Sequence, residues 1–209
     1  MIRYIFDGNI QVNNFDAFTT TKSDLPLDIQ RAFIEQEEPA LKAKLWQNIH
    51  AKLASELGIS PNQLVFAKQT HSANIKIVDK TQNGILFPDT DGMITNIKDI
   101  CLCIQTADCT PVLLFDPLHK VVAAIHAGWK GTAQNITGKA ISLMKEHYGT
   151  KPGEVMAYIG PCISQANYEV GVDVYEAFQA IGLASEKVFS KAKTDGKYFC
   201  NLNQANTEL

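Results

Sequence analysis

The sequence predicts an α/β fold of the mixed α+β kind, with a mostly β core and flanking helices. Two observations carry this. Three short apolar runs, Ile100 to Gln105, Pro111 to Phe115 and Val121 to Ile125, follow one another in the middle of the chain. They are too short for helices and lack alternation, as strands buried on both faces do. On either side, apolar residues recur at helical spacing: Leu41, Leu45, Ile49, Leu53 and Leu57 before them, Ala133, Ile136, Ala140, Leu143 and Met144 after. The 209 residues, 45% hydrophobic, fit one domain over 1–209, or two small ones, and can bury a sizeable core without disulfide or metal staples.

The elements follow in order. Thr19 to Pro39 is mostly polar and reads as a surface excursion. The first helix starts after Pro39 and stops at Gly58. Leu64 to Lys68 reads as a strand ending near Gln69, and Ile75, Ile77 and Val78 as another ending at Asp79. The three central strands are separated by Thr106-Ala107-Asp108-Cys109 and by Asp116-Pro117-Leu118-His119. A second helix is expected to begin after Gly131 and to end at Tyr148-Gly149. Val155 to Ile159 is a buried strand closed by Gly160-Pro161, Val174 to Ile181 is helical, and Val188 and Tyr198 to Leu202 mark further strands.

Composition narrows the function. With 19 Lys and Arg against 22 Asp and Glu, the net charge is −3, unlike a general binder of nucleic acid or anionic membrane. No apolar run approaches the roughly 20 residues that span a bilayer, and the opening Met1-Ile2-Arg3-Tyr4-Ile5-Phe6-Asp7 is no secretory signal. Five cysteines without a regular framework suit reduced thiols, so a cytoplasmic location is expected.

His71, Cys109 and His126 each stand within a few residues of the end of a strand. Two imidazoles and a thiolate suit Zn²⁺, and three protein ligands leave a fourth position open, as in catalytic sites. Their separations of 38 and 17 residues match no metal motif, so a buried core histidine beside two unrelated residues is the competing reading. Ala127-Gly128-Trp129-Lys130-Gly131 then leads into a helix. Its glycines allow close backbone approach, and a helix start with Lys130 suits an anion; a tight connection with Trp129 as a packing plug explains it equally well.

Five stretches taken together resemble a family. They are Gln69-Thr70-His71, Asp91-Gly92-Met93-Ile94-Thr95, Ala107-Asp108-Cys109-Thr110-Pro111-Val112-Leu113-Leu114-Phe115-Asp116-Pro117, His126-Ala127-Gly128-Trp129-Lys130-Gly131 and Ile159-Gly160-Pro161-Cys162-Ile163. In this order they are similar to the YfiH-like proteins, also called the laccase-domain or polyphenol oxidase family, which includes purine nucleoside phosphorylases. The resemblance runs from Leu64 to Gly171, about half the chain. It implies a single YfiH-type domain and Zn²⁺ held by His71, Cys109 and His126. The family's N-terminal Arg-x-Gly-Gly stretch has no counterpart in Ala17 to Ser23, where Lys22 stands instead, and Lys130 replaces a common Arg. Lysine keeps the charge but gives up bidentate anion binding. Members commonly continue past the equivalent of Asn201-Leu202, so the domain is expected to be short at its C-terminus relative to the family.

The resemblance implies phosphorolysis or deamination of adenosine-type nucleosides, with nucleoside and phosphate as partners. Lys130 is the candidate for holding phosphate, and Asp91 or Asp108 for the general base; each aspartate alone also reads as a turn residue. Three other readings stand beside this one. Copper-dependent phenol oxidation suits the donor set, but a multicopper apparatus needs more than His50, His119 and His147 beyond the site. A hydrolase of cell-wall precursors would use Cys109 or Cys162 as nucleophile, while Cys101 and Cys103 read as core. A relative that binds nucleosides without turnover is the non-enzymatic reading.

Overall fold

The computed structural model describes residues 39–78 and 86–209, which fall into two compact units. The polar excursion predicted for Thr19 to Pro39 and the Lys22 segment lie outside the described residues, Pro39 excepted. In the first unit, helix α1 (Pro39–Leu57) ends at Gly58, whose φ of +68° suits glycine at a helix stop. Ala54 is buried, while Ile49, Leu53 and Leu57 are half-buried; the side chains of Leu41 and Leu45 are not among those described. The turn Pro61–Gln63 follows, with the Gln63 side chain accepting from Ser60 N at 2.7 Å and donating to Asp99 O at 2.6 Å.

The second unit is built on a five-stranded sheet. Its strands are β2 (Ile75–Ile77), β4 (Gly92–Thr95), β6 (Thr110–Asp116), β7 (Val121–Ala127) and β8 (Met156–Ile159), in the order β2-β4-β7-β6-β8. β2 and β4 are parallel and the other pairs antiparallel. β6 and β7 are buried on both faces, as their unbroken apolar runs predict. On one face, Val112, Leu114, Val121, Ala123, Ile125 and Ala127 meet Ile136, Ala140 and Met144 of a covering helix. A second core gathers around an antiparallel sheet of β10 (Phe189–Lys191), β11 (Lys197–Cys200) and β9 (Glu169–Gly171), with helix α4 (Val172–Gln179). A further pairing joins Phe66 and Ala67 of β1 (Leu64–Ala67) in parallel to β3 (Leu86–Phe87), and a short strand β5 covers Cys101–Cys103.

Several expectations are corrected. The run from Ile100 to Gln105 yields only the half-buried β5, and Gln105 is exposed. β4 is fully buried but was not anticipated, because its two large apolar residues, Met93 and Ile94, define no period. The second helix begins before Gly131, as α2 (Trp129–Ala133) with Gly128 at its N-cap. It then breaks at Asn135, whose φ of +54° turns the chain and whose side chain accepts from Gly138 N at 2.9 Å to start α3 (Ile136–Tyr148). The strand expected through Leu202 stops at Cys200, since the Asn201 side chain accepts from Gln204 N at 3.0 Å and caps α5 (Leu202–Thr207).

The turn between β6 and β7 rests on Asp116, which is fully buried. Its Oδ1 accepts from Leu118 N at 2.9 Å and His119 N at 3.0 Å, and its Oδ2 pairs with His119 Nδ1 at 2.7 Å. Burial alone would push this carboxyl up, but hydrogen bonds such as these outweigh it and hold the group below the usual aspartate range. Their contribution is therefore complete above the unfolded value of about 3.9 and is lost as pH falls through the lower folded value. Asp116→Asn is expected to cost about 1–3 kcal/mol at neutral pH and to abolish this part of the acid sensitivity. Denaturant unfolding at neutral and acid pH checks it; identical neutral-pH midpoints for the two proteins would contradict it.

Candidate metal centre

The sheet's register brings distant residues to one end. His126 is the penultimate residue of β7 and faces Pro111, and Cys109 lies one residue before β6. On the other side of β7, Gly92 faces Ile125, and His126 N donates to Asp91 O at 2.7 Å. His71 sits in the turn that leads into β2, whose first residue, Ile75, faces Gly92. That turn is tied to β4 by Asp91 N and Gly92 N, which donate to Asn74 O at 2.9 and 3.1 Å. One ligand atom from each of His71, Cys109 and His126 lies within 4.8 Å of the others. The two imidazoles meet edge to face, with centroids 4.9 Å apart at 74°. Among the described residues, this is the one such group of three or more His, Cys, Asp and Glu side chains.

Behind the donors lies Asp91, with no exposed surface. Its Oδ1 accepts from His71 N at 3.0 Å and His126 Nδ1 at 2.7 Å. Its Oδ2 accepts from Thr70 N at 3.1 Å, Ser72 N at 2.8 Å and Ser72 Oγ at 2.7 Å. Three consecutive amides thus form an anion-binding nest around one carboxylate. His71 sits there at φ +59°, a left-handed conformation uncommon for residues other than glycine but adopted more readily by Asn, Asp and His. Burial would raise the Asp91 carboxyl, yet hydrogen bonds from Ser72, His126 and Thr70 keep it below the usual range. An ionised acceptor fixes the proton of His126 on Nδ1 and leaves the lone pair on Nε2, the tautomer a metal ligand needs.

The charge environment favours a cation. Burial lowers the His126 imidazole below its usual value, more than Asp91 raises it, so the ring is neutral at neutral pH. Burial, Asp108, Asp91 and Cys162 together push the Cys109 thiol up. A reactive free thiolate needs the opposite, electropositive surroundings, whereas negative neighbours stabilise a bound metal ion.

The other predicted residues stand differently. Asp108 is exposed beside Cys109, and its backbone carbonyl accepts from Ile163 N at 3.0 Å. Lys130 is exposed on α2, with Nζ 5.6 Å from the centre of the Trp129 ring, outside the donor group. His119 belongs to the Asp116 turn, and His50 and His147 lie in α1 and α3, as expected. Thr70 and Ser72 were not anticipated as part of the site; the polar residues flanking His71 were the available signal.

Gly128 accounts for one glycine of the turn after β7. A Cβ placed on it would lie 3.0 Å from both Cys109 Sγ and His71 Cδ2. Its φ of −72° suits any residue, so the requirement is space and not backbone freedom. Gly128→Ala is expected to displace two donors and weaken metal binding by at least about 10-fold, the low end of the cost of losing an outer-shell partner. Competition with a chromophoric chelator measures this, and unchanged affinity would show that the strand ends yield.

Residues 42–209 match the family described as multi-copper polyphenol oxidoreductase laccase. A purine nucleoside phosphorylase of Bacteroides thetaiotaomicron is 39% identical over 153 residues, covering 70% of this chain and 57% of that protein. A protein named adenosine deaminase RL5, from an unknown prokaryotic organism, is 30% identical over 161 residues, covering 74% of this chain and 61% of its own. Among solved structures, YfiH of Bacillus licheniformis has a TM-score of 0.71 at 30% identity, over 77% of this chain and 63% of that one. The chain thus spans less than two thirds of the length of each of these relatives. The matched span takes in both cores and all three donor residues, and the chain belongs to the multi-copper polyphenol oxidoreductase laccase family, as a YfiH-like laccase-domain protein.

Proposed function

We propose that this chain is a zinc-dependent purine nucleoside enzyme that carries out phosphorolysis or deamination of adenosine-type nucleosides. The convergence of His71, Cys109 and His126 within 4.8 Å carries the reading, and the names of the relatives supply the substrate class. The donors fit the ion on chemical grounds: a neutral imidazole oriented by a buried carboxylate, a second imidazole and a sulfur, all in negative surroundings. Zinc bound there would supply Lewis acidity at a position left open by three protein ligands. The five histidines favour one mononuclear site over multicopper chemistry, since only His71 and His126 join this cluster.

The chain's own residues divide the remaining work. We assign Asp91 a positioning role in place of the base role considered from sequence, because its two oxygens already accept five hydrogen bonds. Asp108, exposed beside Cys109, is the carboxylate open to a substrate proton. Lys130, exposed two residues beyond Gly128, offers its ammonium to phosphate. In phosphorolysis, a phosphate oxygen bonds to C1′ as the bond to the purine nitrogen breaks. In deamination, a water oxygen bonds to C6, one water proton reaches the adjacent ring nitrogen, and the other passes by way of a carboxylate to the amino group as the C6–N bond breaks and ammonia leaves. Nucleoside and phosphate are the partners, and unbridged cysteines support a cytoplasmic setting. Among the described residues, no helix is long and apolar enough to cross a membrane.

Zinc-loaded protein is expected to cleave or deaminate at least one of adenosine, inosine (cleavage only) and methylthioadenosine. Phosphate dependence separates the two reactions, and His126→Ala abolishes zinc binding and turnover together. Stoichiometric copper with phenol-dependent oxygen uptake would overturn the reading. Asp91→Asn is expected to lower zinc affinity by roughly 10–100-fold in protein whose metal-free fold persists by circular dichroism. Unchanged affinity in the folded fraction would reduce Asp91 to a purely structural part.

A further inference from the structure

Cys162 belongs to the Gly160-Pro161-Cys162 turn, and the proposed chemistry leaves it without a task. Its place in the fold is set by β6 and β8, where Val112 faces Ile159. Beyond these strands two further hydrogen bonds join the segments. Gly160 N donates to Pro111 O at 2.8 Å, and Ile163 N donates to Asp108 O at 3.0 Å. Equal lengths, Cys109-Thr110 on one side and Pro161-Cys162 on the other, lie between those cross-links; a regular ladder would not bond both pairs, so the backbone turns between them, and Cys109 and Cys162 lie opposite one another beside the second cross-link. Facing residues of an antiparallel pair have Cα atoms about 4.5–5.5 Å apart, inside the roughly 4.4–6.8 Å that a disulfide spans. Both cysteines are half-buried and unbridged. The Cys162 sulfur makes a weak 3.5 Å contact with Ile163 O, and charge on it is felt at Cys109. Cys200, the other nearby thiol, is fully buried, so a reagent in solution does not reach it.

We propose that Cys109 and Cys162 are an oxidisable pair, converted to an intramolecular disulfide by a small-molecule disulfide such as oxidised glutathione. The Cys162 thiolate attacks one sulfur of the reagent and releases the first small thiol. Cys109 then attacks the Cys162 sulfur of the mixed disulfide and releases the second. The protein loses two S–H bonds and gains one S–S bond, the reagent's S–S bond takes up the two electrons, and the two protons leave on the two thiols. The bond itself depends only on the facing positions. Its consequence, the removal of one of three donors, rests on the metal-site reading above, and a bound metal in turn protects Cys109.

The test uses the full chain, stripped of metal and treated with oxidised glutathione. The expected product has lost two hydrogens by mass, and its peptide map joins the peptides holding Cys109 and Cys162. Zinc-loaded protein resists the change. Oxidised protein binds zinc at least about 100-fold more weakly, beyond the cost of losing an outer-shell partner, and a dithiol restores affinity. Cys162→Ser forms no bridge at Cys109 yet binds zinc as the parent does. A bridge from Cys162 to Cys200, Cys109 recovered only as a mixed disulfide, or no loss of hydrogens overturns the proposal. If the reduced parent fails to take up zinc, the metal reading falls while the peptide map still decides the bond.

Discussion

A buried carboxylate at the end of a sheet is costly unless its lone pairs are filled, because burial penalises charge far more than it penalises any neutral group. Asp91 meets that demand with three successive backbone amides, a hydroxyl and an imidazole. The solution fixes everything around it. The amides hold the turn that carries His71, the imidazole is His126 itself, and the backbone carbonyl of Asp91 accepts from His126 N. Two donors from separate elements are therefore oriented by one charge, and the third, Cys109, is delivered by the neighbouring strand end. Gly128 then packs so closely on Cys109 and His71 that a Cβ added there, 3.0 Å from each, would make their side chains give way.

Much of this was legible in the sequence, for reasons that differ by element. β6 and β7 announce themselves because both faces are buried and their apolar runs are unbroken. The body of α3 shows in Ile136, Ala140 and Met144, which all reach the core. Its beginning does not, because the break at Asn135 is a matter of local hydrogen bonding that the apolar pattern cannot register. The same is true of Asn201, whose cap turns Leu202 into the start of a helix while the aromatic run before it reads as strand. β4 escaped because burial there is imposed by its neighbours β2 and β7 and not by its own composition.

The donor residues were legible in a different way. Spacing along the chain carries no information about contacts made through sheet register, so residue types and their resemblance to known motifs had to indicate His71, Cys109 and His126. What the motifs left blank was the division of labour among the acids. Asp91 and Asp108 are equivalent as letters, yet one has no exposed surface and a full set of donors while the other faces solvent. Only three-dimensional placement separates a group that orients ligands from one that can meet a substrate.

The register of the central sheet also bears on the order of events during folding. His71, Asp91, Cys109 and His126 become neighbours only after β2 has aligned in parallel with β4 and β7 has paired on both its edges. Such non-local pairings pay their loop-closure entropy before contacts repay it, and parallel ones are intrinsically slow. The donor group is thus absent from any partly assembled sheet, and a cation that prefers the complete set draws the chain toward the fully paired state by mass action. An ion held at this end of the sheet would be captured late, and would act as a check that the four strand ends have found the right partners.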